Sequence, residues 1–156
     1  MKLYRVYADT SVFGGCYDDE FAEFSNKFFS QVHGGLFKLI ISPLLLDKLS
    51  FASEEVQGIL KELPKNQLEY VLDNEDIENL RDRYISSGIL TIKSKADAEH
   101  VALATYFDCD FLVSWNYKHL VHFQKINGYQ AVNLLNGYKP IKIFSPREVA
   151  IYEKEI

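Results

Sequence analysis

Two stretches of the chain carry residues able to do metal chemistry. In the first, the mostly apolar run Leu3-Tyr4-Arg5-Val6-Tyr7-Ala8 leads into Asp9, and Thr10, Ser11 and the pair Gly14-Gly15 follow. This pattern predicts a buried strand ending in a carboxylate, at the edge where α/β sheets hold their ligands. In the second, Ser94-Lys95-Ala96-Asp97-Ala98-Glu99-His100 opens a strongly apolar helix with Asp97 in its first turn. Two carboxylates brought together could share a divalent cation. Hard oxygen donors with few histidines suit Mg²⁺ or Mn²⁺ rather than zinc. Such an ion activates water and stabilises charge developing on a phosphate.

Each candidate has a plainer use. A carboxylate at the end of an apolar strand can form an Asx turn or cap a helix, but its burial is costly unless the charge is satisfied, which favours the metal role for Asp9. Asp97 lies three residues after Ser94 and so fits a capping box, with Asp in place of the usual Glu or Gln. A first-turn carboxylate keeps a second oxygen free, so capping and metal binding can coexist. Glu99 falls about 200° round the helix from Asp97 and reads as a solvated or pairing residue. His100, alone on an apolar helix, reads as a hydrogen-bonded core residue. Thr10 could steady Asp9 as a donor, and Asn116 either orients a metal-bound water or caps the next turn.

The elements that must position these residues follow from pattern and punctuation. Asp18-Asp19-Glu20 opens a helix with the stripe Phe21, Phe24, Phe28 and Val32, which ends at Gly34-Gly35. Phe37–Ile41 is a second strand, and Ser42-Pro43 caps a short helix through Leu44–Leu49. Ser53-Glu54-Glu55 opens another helix, stopped near Pro64. Leu68–Leu72 is a third strand, and Asp73 or Asn74 caps a helix whose apolar face carries Ile77, Leu80 and Tyr84. Phe111–Ser114 is a fourth strand, a helix is placed around Tyr129–Leu135, and Ile141–Phe144 is the last strand. Ser145-Pro146-Arg147-Glu148 is a full capping signature for a closing helix. Strands alternating with helices predict a mostly parallel sheet of about five strands covered on both faces, in one domain spanning 1–156.

The bulk properties narrow the functions. With 156 residues, a hydrophobic fraction of 47% and no long apolar run, the chain is expected to be a soluble cytoplasmic domain with no membrane contact. Cys16 and Cys109 are isolated, which argues against a structural zinc site or a disulfide framework. The net charge of −5 argues against broad nucleic-acid binding. Only Lys118-His119, with Lys125 nearby, is locally basic. No Gly-rich phosphate loop of Walker or Rossmann spacing is present, which leaves a phosphatase or nucleotide-binding domain with little support.

Three blocks together resemble the PIN domain family, in its VapC-like, toxin–antitoxin branch. They are Tyr7-Ala8-Asp9-Thr10-Ser11-Val12-Phe13, Asp97-Ala98-Glu99-His100-Val101-Ala102-Leu103-Ala104 and Phe111-Leu112-Val113-Ser114-Trp115-Asn116. The resemblance spans nearly the whole chain. It implies a three-layer α/β/α fold, a homodimer, a cognate antitoxin partner, and Mg²⁺- or Mn²⁺-dependent cleavage of RNA. The family's first acidic position falls on Asp9 and its third on Asp97. Two positions depart from the pattern: Lys48, preceded by Asp47, stands where the family has a glutamate, and Asn116 stands where it has a fourth acid. Two functions stay open on these residues. One is a metal-dependent ribonuclease, the toxin of a pair; the other is a catalytically weakened PIN-like domain serving as a dimeric scaffold or RNA-binding module.

Overall fold

The structure, a computed structural model, describes residues 3–150. Five strands, β1 (Tyr4–Ala8), β2 (Phe37–Ile41), β3 (Leu68–Tyr70), β4 (Phe111–Val113) and β5 (Ile143–Phe144), form one sheet. Its order is β3-β2-β1-β4-β5, and every pairing is parallel. Parallel strands need crossovers, and helices supply them: α1 (Thr10–Gly15), α2 (Ala22–His33), α3 (Pro43–Ser50), α4 (Glu54–Glu62), α5 (Glu75–Ser86), α6 (Lys95–Tyr106), α7 (Phe123–Leu135) and α8 (Pro146–Val149).

Alternation along each strand divides the core into two layers. Val6, Ala8, Leu39, Ile41 and Val113 face one cluster, with Phe13, Phe28 and Leu45. Tyr7, Ile40 and Leu112 face the other, with Val101, Leu103 and Tyr129. The central strands are therefore apolar on both faces, as their sequences require. Helix α6 is buried nearly all round, from Ala98 to Thr105 with only Glu99 left partly open, because it lies flat on the sheet. The architecture is a three-layer α/β/α sandwich.

Most sequence-predicted elements form, and five features differ instructively. Thr10–Gly15, small hydroxyl residues and a glycine pair for which the sequence predicts no helix, is a helix capped by the Asp9 side chain and anchored by buried Val12 and Phe13. β3 stops at Tyr70 and β5 starts at Ile143, each shorter than its apolar run, because register with the neighbouring strand sets their length. α7 begins at Phe123, six residues ahead of the expected Tyr129. The capping box expected at Ser94 does not form, because the Ser94 hydroxyl turns away to His119, 3.2 Å from its Nε2. By contrast, Ser42, Ser53 and Asn74 cap their helices, and Ser145 with Glu148 forms a complete capping box.

Arg5 fixes the sheet's amino edge. Its guanidinium pairs with Glu69 of β3 at 2.6 Å and donates to the Phe107 carbonyl at 2.6 Å, so β1, β3 and the α6–β4 turn are tied together. Among the described residues, no helix is long and apolar enough to cross a membrane.

Candidate functional site

Strand order reverses between β1 and β4, which lead to different sides of the sheet, and open α/β sheets hold their ligands at the carboxyl ends of the strands at such a reversal. Asp9 ends β1 at this point. Its backbone N–H still donates to the Val113 carbonyl at 3.2 Å, as the last rung of the ladder. Its side chain is 4% exposed and hydrogen-bonded at both oxygens. The Ser11 amide and hydroxyl donate to Oδ1 at 3.1 and 2.5 Å, and the Ser114 hydroxyl donates to Oδ2 at 2.7 Å. Even so, burial pushes its carboxyl from 3.8 up to about 6, and the charge of Asp97 acts in the same direction. Asp9 and Asp97 therefore sit within electrostatic reach of each other.

Ser11 and Ser114 are the supports that sequence reasoning missed. Ser11 also accepts the Trp115 N–H at 2.9 Å, and Ser114 accepts the Asn116 N–H at 2.9 Å. The two loops leaving β1 and β4 are thus laced together through one carboxylate. Thr10 opens α1 half-exposed, and the hydroxyl serving Asp9 belongs to its neighbour. Behind this lacing, the Trp115 indole donates to Ser25 at 2.8 Å and stacks on Phe21.

Asp97 is half-buried in the first turn of α6. Burial raises its pKa, and His119, a hydrogen bond from Asn116, Lys48 and Lys125 oppose the rise. Asn116 Oδ1 accepts the Lys118 and His119 N–H groups at 3.1 and 2.9 Å. Its oxygen is thus committed to capping, and only its NH₂ is left to serve Asp97 as a donor. Lys48, exposed on α3, acts on both Asp97 and His100. Asp47, beside it, is exposed and takes no part in the hydrogen bonds around the two aspartates. Glu99 turns away to pair with Arg81 at 2.7 Å.

His100 is buried behind Asp97, with its Nδ1 2.6 Å from the Tyr7 hydroxyl, which in turn lies 2.7 Å from Ser42 Oγ. Burial first and Lys48 second push His100 down to about 3, so it stays neutral at any ordinary pH. A neutral histidine wedged between strand and helix holds Asp97's turn in place without adding charge.

Among solved structures, the chain is similar to VapBC2 from Rickettsia felis, a structure bound to a DNA fragment from their promoter. The TM-score is 0.54 at 14% identity, over 90% of this chain and 98% of that one. The fold is PIN-like. It is also similar to tyrosyl-tRNA synthetase from Aeropyrum pernix, with a TM-score of 0.50 and 12% identity, over 91% of this chain and 52% of that one. No family model and no curated protein matches the sequence. One PIN-like sandwich thus resembles proteins of unlike activity, and function has to be argued from the site.

The site's donors define which ions fit. Asp9 Oδ2 accepts a single hydrogen bond and keeps room for another partner, and Asp97, whose charge acts on Asp9, is a second carboxylate within its electrostatic range. Among the described residues no three His, Cys, Asp or Glu side chains group together. One or two carboxylates completed by water and substrate phosphate are a fit for Mg²⁺ or Mn²⁺, and a poor one for zinc.

Proposed function

We propose that this PIN-like chain is a ribonuclease of the toxin–antitoxin type, acting in the cytoplasm on RNA phosphodiesters with Mg²⁺ or Mn²⁺ and restrained by a cognate antitoxin. The observation that carries the reading is the carboxylate of Asp9, buried and held by Ser11 and Ser114 at the point where strand order reverses, with the charge of Asp97 acting on it. Asp9 and Asp97 would hold the ion, whose chemistry is to lower the pKa of bound water and offset charge on the phosphate. Ser11 and Ser114 keep Asp9 oriented through its two oxygens, and the Asn116 amide orients Asp97.

The second reading, a weakened PIN-like domain that binds RNA or serves as a scaffold, draws its support from Lys48. An ammonium group near Asp97 opposes a divalent cation. One set of measurements separates the two. RNA cleavage is followed with and without Mn²⁺ for the wild type and Asp97→Asn, and Mn²⁺ affinity is titrated for the wild type and Lys48→Glu. The nuclease reading expects metal-dependent cleavage that falls at least about 100-fold in Asp97→Asn. It also expects Mn²⁺ binding about tenfold tighter in Lys48→Glu, which reverses a charge and adds an oxygen donor. Cleavage absent at any Mn²⁺ concentration transfers the case to the second reading.

The same proposal includes a homodimer. Leu46 and Phe51 on and just after α3, with Tyr70 and Leu72 at the edge strand, are 40%, 83%, 61% and 79% exposed. Apolar side chains this open on neighbouring elements suit a second copy of the chain. Light scattering should give twice 18.0 kDa, and the Phe51→Glu variant should shift toward the single mass. A single mass for the wild type at micromolar concentration rejects the dimer.

A further inference from the structure

Beside the carboxylates lies a second group of side chains with the opposite sign. The Lys125 ammonium, on the first turn of α7, is not a free surface charge. It donates to the Ile89 carbonyl at 3.1 Å and lies 3.3 Å from His119 Nδ1. An ammonium can only donate, so His119 Nδ1 must accept and Nε2 must carry the proton. That proton is directed at Ser94 Oγ, 3.2 Å away. The chain of donors therefore runs one way, from Lys125 through His119 to Ser94, and ends on a serine hydroxyl released from capping α6. Asn116 Oδ1 fixes the His119 backbone from behind at 2.9 Å, and the Tyr129 hydroxyl holds its carbonyl at 2.8 Å.

We propose that Lys125, His119 and Ser94, with Lys48 of α3, the helix packed against α6, form an anion subsite that binds a phosphate group of the nucleic-acid backbone next to Asp97. Every terminal group of this arc is a donor or a cation, which is what a phosphate oxygen requires and what a divalent cation does not. With Asp9 and Asp97 on one side and Lys48 and Lys125 on the other, the site would present a cation-binding half and an anion-binding half. A metal ion and the phosphate it acts on have that same pairing of charge. The arc also reconciles RNA binding with a net charge of −5, because the positive charge is concentrated at one place.

The proposal rests on the nuclease reading for its ligand, and its test is run without metal so that the two fail separately. Amide NMR of the intact chain is titrated with inorganic phosphate in EDTA, and binding of a fluorescent single-stranded RNA 12-mer is measured across a salt series in EDTA. The expected result is saturable shifts at Ser94, Asp97 and His119 in the wild type. Lys125→Gln should weaken phosphate binding at least about fivefold and lower the salt slope for RNA by about 0.7, the value for one lost phosphate contact on a single strand. Lys48→Gln, on an exposed position that carries no structural hydrogen bond, should reduce the slope likewise and guards against a folding defect in the first variant. No shift at these amides, or shifts and slopes unchanged in both variants, overturns the subsite whether or not the chain cleaves RNA. Phosphate binding that both variants lose, in a chain that shows no cleavage with any metal, keeps the subsite and rejects the nuclease.

Discussion

Asp9→Asn should melt at a higher temperature than the wild type while losing metal-dependent RNA cleavage. The carboxyl of Asp9 is held at about 6 against 3.8 in the unfolded chain, so its ionised form at pH 7 is disfavoured on folding by roughly 3 kcal/mol. Asparagine keeps the oxygen that accepts from Ser11 and sheds the charge. It also places an NH₂ where Ser114 now donates, and rearranging that bond costs about 1 kcal/mol. A net gain of about 1–2 kcal/mol raises Tm by roughly 2–8 °C in a domain of this size.

The same residue sets a pH dependence of definite sign. The folded chain holds more protons at Asp9 than the unfolded chain between about pH 4 and 6. Its contribution to stability is therefore complete below the unfolded value of 3.8, and is lost as pH rises through about 6. Thermal melts of both proteins from pH 4.5 to 8 check this: the advantage of Asp9→Asn should widen across that window. A wild type that gains on the variant as pH rises would contradict the assignment. Protons and metal compete for the same oxygens, so Mn²⁺ binding should strengthen over the same interval.

Gly15→Ala should be among the most damaging single-methyl changes in the chain. A Cβ there would stand 2.5 Å from Ser25 Oγ and 2.7 Å from Trp115 Nε1, two buried atoms already bonded to each other. Neither is a loose end that can swing aside. Overpacking of this kind costs about 2–3 kcal/mol, or roughly 5–10 °C in Tm. Trp115 also donates through its backbone to Ser11, so the displacement should reach Asp9 and reduce cleavage as well. Gly14→Ala is the control. Nothing lies within 4 Å of its added methyl, and alanine is the better helix former, so a gain of about 0.5–1 kcal/mol is expected. Thermal melts of the two variants should move in opposite directions, and parallel shifts would reject the packing argument.

Those two glycines also explain why part of the site was hidden in the sequence. A glycine pair after a strand reads as a loop, because each glycine weakens a helix. Here α1 forms anyway, since Asp9 caps it and Val12 and Phe13 bury against the sheet. Gly15 serves a close approach that only three-dimensional packing reveals. Asp9 and Asp97 were legible because a polar residue at the end of an apolar strand, or in the first turn of an apolar helix, has few places to go. Their roles as metal ligands remain for the cleavage and titration experiments to decide. Ser11 and Ser114 look like ordinary turn residues, and only their shared carboxylate gives them a purpose. The basic residues Lys118, His119 and Lys125 stood out by local charge. The sequence could not show that Lys125 turns inward to Ile89 and His119, which depends on the seating of α7.

The lacing of Asp9 to Ser114 spans 105 positions of the chain. Asp9 leaves the ribosome before its partner, which follows only after three further strands and the long α6 helix have been synthesised. No nascent chain that stops short of Ser114 can make this lacing. Under the ribonuclease reading proposed above, synthesis itself is a safety interval for the surrounding RNA, including the message being read. The centre comes into being only once the residues after β4 have been made.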